Sequence, residues 1–83
     1  MPEGGHSIGF NDDVVVGEAR FHVQTEVVGA PPQVLTSVMQ GGRLAHSERR
    51  PYPDGTGDLE GIRAVIREQH TEIVARLRRG EVG

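Results

Sequence analysis

Four histidines stand in this chain, at His6, His22, His46 and His70. Imidazole can hold a metal or move a proton near neutral pH. Their spacing speaks against the first use. Metal sites are usually built on local ligand pairs such as H-x-H, H-x-x-x-H or C-x-x-C, and the chain contains none of these. Cysteine is absent, which removes thiolate ligands, thiol nucleophiles and any disulfide framework. Serine, histidine and acidic residues are all available for catalysis, yet no spacing pairs a nucleophile with its base. Neither GxGxxG nor GK(T/S) is present to cradle a phosphate. These residues predict a protein that is not an enzyme and carries no cofactor or metal.

Two histidines are placed where a weak role can still be argued. His22 belongs to the stretch FHVQTEVV, residues 21–28, whose alternation sets His22, Gln24 and Glu26 on one face of a strand. Such a strip is a hydrogen-bonding rim or a solvated face. His70 falls in the apolar stripe of a helix, between Ile66 and Ile73. An imidazole there must find a partner or stay neutral, because burying its charged form is costly. A strand carbonyl, Thr25 or Tyr52 can supply that partner. The functional alternative is a pH-sensitive contact across an oligomer interface, which a stability profile flat between about pH 5 and 8 would remove.

All nine basic residues are arginine, the net charge is -3, and the aromatics are two Phe and one Tyr. A general nucleic-acid binder needs a basic stripe with stacking rings, so that partner class is disfavoured. The pairs Arg49-Arg50 and Arg78-Arg79 read as a solvated edge and a favourable helix end. No stretch approaches the ~18 apolar residues of a membrane span, and the first ten residues lack the pattern of a signal peptide. A cytoplasmic protein with no membrane partner is the expectation.

The elements that must position these residues follow from periodicity and turn chemistry. Residues 13–16 (DVVV) lead through Gly17-Glu18, suited to a II′ turn, into a second strand from Ala19 to about Val28. That turn pairs Val16 with Ala19 and Val14 with Phe21. Gly29-Ala30-Pro31-Pro32 interrupts the ladder. Residues 33–40 (QVLTSVMQ) and 43–50 (RLAHSERR) form a second hairpin about Gly41-Gly42, where a I′ turn needs positive φ twice. A plain two-residue turn sets Met39 opposite Leu44, Val38 opposite Ala45, Thr36 opposite Ser47 and Val34 opposite Arg49. Residues 51–57 (PYPDGTG) are a turn-rich connector. Asp58 then caps a helix over 58–79, its stripe running Leu59, Ile62, Ile66, His70, Ile73 and Leu77. Glu72 and Arg76 pair at i,i+4, and Gly80 stops the helix.

The predicted fold is therefore α+β. A flexible N-terminal tail, residues 1–10, precedes a single ββββα domain over 11–83: a four-stranded antiparallel meander with one long C-terminal amphipathic helix packed on it. One helix covers one sheet face, yet the third strand is apolar on both. Val34 and Val38 point one way, and Leu35 and Met39 the other, joined there by Leu44. A thin core without staples gains from association, so these five residues, with the His22, Gln24 and Glu26 strip, are the expected interface of a homodimer or larger assembly. One alternative is an adaptor that binds a protein or peptide by strand addition at its sheet edge. Another, of a different class, is a histidine-based metal or pH-sensing protein.

The run FHVQTEVVG, followed by PPQVLTSVMQGGRLAHSERRPY, resembles a group of short uncharacterised bacterial proteins, frequent in deltaproteobacteria. Its marks are an F/Y-H-V-Q-T-E strand, a G-G hairpin followed by a basic strand ending in Tyr, and a helix with E-Q-H near a terminal R-G-E. Here these are residues 21–26, 41–52, 68–70 and 79–81. The resemblance implies a compact stand-alone unit and assigns no catalytic residue.

Overall fold

The structure is a computed structural model that describes residues 9–52 and 58–81. Its four strands, β1 (Gly9–Val16), β2 (Ala19–Val28), β3 (Gln33–Gln40) and β4 (Arg43–Pro51), form one antiparallel sheet in sequence order. The helix α1 (Leu59–Arg78) packs on one face, which makes the expected α+β meander. β1 starts four residues ahead of the DVVV run, so Gly9 and Phe10 belong to the sheet and not to a tail. The ten-residue β2 provides their pairing, Gly9 with Glu26 and Phe10 with Thr25. The Phe10 ring meets the His70 ring edge-on at 5.8 Å and lies under the Arg67 guanidinium. The rest of the expected tail, with His6, and residues 53–57 of the connector lie outside the described residues.

The β1–β2 hairpin has the register its turn predicts, Val16 against Ala19 and Val14 against Phe21. The β3–β4 hairpin corrects the sequence reading. Gly41 and Gly42 do take φ of 59° and 80°, as a I′ turn demands, and Met39 does face Leu44. The register then shifts between Val38 and Met39, so that Val38 faces His46, Thr36 faces Glu48 and Val34 faces Arg50. The extra residue, Ala45, is a β-bulge, and a one-residue slip reverses every side chain beyond it. His46, Glu48 and Arg50 therefore turn toward the helix side, while Ser47 and Arg49 turn away.

The helix has the ends its sequence calls for. Asp58 accepts a hydrogen bond from the Gly61 amide at 2.8 Å. At the other end Gly80, at φ 76°, donates to the Leu77 carbonyl and Glu81 to the Arg76 carbonyl, which together form a Schellman motif. Of the expected stripe, Ile66, His70, Ile73 and Leu77 are buried and Ile62 is half-buried. Leu59 is exposed, because the buried side of the helix begins only at Ile66; Gln69 is buried instead.

Between helix and sheet the side chains fall into rows. Val14, Phe21, Val23, Val38, Ile73 and Leu77 form the main core. Thr25 and Thr36 are fully buried in the next row, beneath Gln69 and His70. Val34 and Ile66 are buried beyond them. A polar row thus crosses the middle of an apolar interface. α1 lies over β1, β2 and β3 but does not reach β4 with its backbone. No helix among the described residues is long and apolar enough to cross a membrane.

Candidate functional site

The polar row is a chain of hydrogen bonds with one direction. The Gln69 amide nitrogen donates to Thr36 Oγ1 at 3.0 Å, sharing its two protons with the Val34 carbonyl at 3.1 Å and the Glu48 carbonyl at 3.3 Å. Thr36 is thereby an acceptor, and because Thr25 spends its one proton on His70, the 2.7 Å bond between the two hydroxyls is donated by Thr36. Thr25 in turn donates to His70 Nδ1 at 2.8 Å, and His70 Nε2–H donates to Asp12 Oδ2 at 2.7 Å. Thr36, Thr25 and the His70 ring each receive one proton and give one, between the donor Gln69 and the acceptor Asp12, which is how buried polar groups are tolerated. Thr25 is among the partners expected for His70; Asp12 and Gln69 were not foreseen. Asp12 faces the helix because it alternates with Asp13, a signal that the short DVVV strand concealed.

An acid, an imidazole and a hydroxyl in line have the connectivity of a nucleophilic triad. Here the hydroxyl cannot act as one. Thr25 has no exposed surface, and its oxygen lies between His70 and Thr36. The relay holds α1 to three strands inside one chain. His70 is only 5% exposed, a core residue whose two ring nitrogens find their partners within the chain.

The bulge gathers a second group on the inner side of β4. Arg50 binds Glu48 through Nε and Nη2, and grips Glu72 of α1 with Nη1 and Nη2 at 3.0 and 2.8 Å. Arg76 donates to the other oxygen of Glu48 at 3.0 Å and lies 3.7 Å from Glu72. His46 Nε2 approaches Glu48 at 3.5 Å and makes no hydrogen bond. Partial burial pushes the Glu48 carboxyl up, but the hydrogen bonds from Arg50 and Arg76 outweigh it and hold the group below its ordinary value. Arg50 likewise holds Glu72 low, and the two carboxylates hold Arg50 high. Where α1 does not cover β4, charged side chains span the gap. This corrects the reading of Arg49-Arg50 as one solvated pair: Arg49 is exposed on the far face, and Arg50 is clamped on the near one.

The far face is the open one. Across it run Gly9, Asn11, Asp13 and Val15 of β1, then Arg20, His22, Gln24, Glu26 and Val28 of β2. β3 adds Gln33, Leu35, Ser37 and Met39, and β4 adds Leu44, Ser47, Arg49 and Pro51. His22, Gln24, Glu26, Leu35, Met39 and Leu44 are brought together here. Val34 and Val38 are not: both are fully buried under α1 and serve the core instead of an interface. Val15, which sequence reading passed over, is 59% exposed on this face, as is Leu44. His22 Nδ1 donates to Asp13 Oδ1 at 3.0 Å and its Nε2 lies 3.2 Å from Asn11 Oδ1, so neighbours on the same sheet occupy both ring nitrogens. At the hairpin end an open depression of about 380 Å³ is lined by Asp13, Arg20, His22, Met39 and Gly41. Among the described residues no three His, Asp or Glu side chains converge as a metal-ligand set.

The geometry defines a two-layer α+β unit with one covered and one open sheet face. Compared with family models, curated proteins and solved structures, the chain matches none.

Proposed function

We propose that the chain is a small, non-enzymatic interaction module that associates with copies of itself through the sheet face opposite α1. One observation carries the reading. That face holds Val15 and Leu44, both 59% exposed, beside the half-buried Leu35 and Met39, with no layer of the described residues over them. A monomer this thin has little core in reserve, and covering such side chains adds about 25 cal/mol per Å² of apolar surface before association costs.

The competing idea of strand addition is less well supported, because both edge strands carry charges on their inner side: Asp12 on β1, and Glu48 and Arg50 on β4. Inward charges, bulges and prolines are devices that keep edges unpaired. Sedimentation equilibrium of the full chain from micromolar to millimolar concentration is the test. A mass rising above that of one chain supports the proposal. Leu44→Arg should lower the mass while leaving the far-UV spectrum unchanged. A single-chain mass at every concentration would end the reading.

A further inference from the structure

We infer that two copies stack open face to open face into a closed dimer, helix–sheet–sheet–helix, with no sheet edge taking part. The inference rests on the self-association proposed above and specifies its geometry.

The edges argue for it by exclusion. A strand laid beside β1 would close off Asp12, whose carboxylate is 59% exposed while it accepts from His70. Its water would be lost, and burying a charge without full compensation is costly. A strand laid beside β4 would meet the Ala45 bulge and then Pro51, which has no N–H to donate. It would also dry the Glu48–Arg50–Glu72–Arg76 group. Neither edge offers an unobstructed ladder.

The open face argues for a second copy in particular. Its middle row reads Asn11, Gln24, Ser37 and Ser47 across the four strands. Amides and hydroxyls both donate and accept, so an identical row can pair with this one across a two-fold axis. Apolar groups flank the row on both sides, Met39 and Leu44 toward the hairpin end and Leu35 toward the other. The charges of the face are Asp13 and Glu26 against Arg20 and Arg49, which sum to zero in a chain whose total is -3. Asp13 and Arg20 sit at one end, Glu26 and Arg49 at the other, so each end carries both signs and two copies need not repel. The neutral face is thus the part of an acidic molecule best able to meet its own image.

Size sets the strength. Four strands at ~4.8 Å spacing and about eight residues at ~3.4 Å give a face of about 500 Å² per copy, or about 1,000 Å² in total. That is near the lower bound for a specific interface, so a weak, reversible dimer is expected.

Ser37→Arg and Gln24→Arg put a cation into the middle row, and Thr71→Arg puts one on the exposed side of α1 as a control. For the full-length protein the sedimentation mass should level off at two chains. Each middle-row variant should raise the dissociation constant at least about tenfold with an unchanged circular dichroism spectrum, and the control should not. Dimers unaffected by both middle-row variants would overturn face stacking while leaving self-association standing. So would a mass that keeps growing past two chains, the signature of edge-to-edge chains. A monomer throughout would sink both proposals.

Discussion

At the residue scale the informative side chain is His70. A histidine inside an apolar stripe is costly unless both ring nitrogens are satisfied, and here one receives a proton from Thr25 while the other gives one to Asp12. His70→Ala should cost about 2–4 kcal/mol, combining a cavity with two stranded partners. Thr25→Val keeps the volume but leaves Nδ1 without its donor, so about 1–3 kcal/mol is expected. Thr36→Val should cost less, because Gln69 retains the Val34 and Glu48 carbonyls. Urea unfolding of the three variants reads the order directly. A Thr25→Val protein as stable as the parent would mean that the relay is incidental to folding. His22 is a contrast: its ring is exposed, and His22→Ala should shift stability by no more than about 0.5 kcal/mol.

At the element scale the question is how β4 is held when α1 does not lie over it. Glu48, Arg50, Glu72 and Arg76 make that link, and both carboxyls titrate below their ordinary value. A carboxyl depressed in the folded state adds stability that is complete above its unfolded value, here 4.5, and lost as pH falls through the folded one. Melting temperature should therefore fall as pH drops below about 4.5, and it should fall less steeply in Glu48→Gln than in the parent. An acid limb identical in the two proteins would show that the link contributes nothing. Solvent screens such pairs, so the group acts more on which face β4 presents than on total stability.

At the scale of the whole molecule the sheet is, among the described residues, the layer between a packed side and an open one. If copies associate through the open side, folding and association are linked, and the melting temperature should climb with protein concentration. A melting temperature independent of concentration over two decades would count against any stacked state. The polar row beneath α1 and the polar row on the far side have different duties. The inner one positions the helix within a chain, and in the proposed dimer the outer one would meet its counterpart on a second copy.

Strand order, both turns, the helix and its two caps were legible from the sequence alone, because each depends on a few adjacent residues: Gly41-Gly42 for φ, Asp58 for a donor, Gly80 for a left-handed stop. Part of the open face was legible for the same reason, since alternation alone separates Leu35 and Met39 from Val34 and Val38. Tertiary structure decided the rest. The bulge at Ala45 depends on β3 and α1 as well as on β4, and it turned Glu48 and Arg50 inward. The partnership of Asp12 with His70 joins residues 58 positions apart, which no local pattern encodes. Val34 and Val38 look as available as Leu35 and Met39 until the helix covers one side. Local rules set which side chains share a face; only packing decides which face is closed to water.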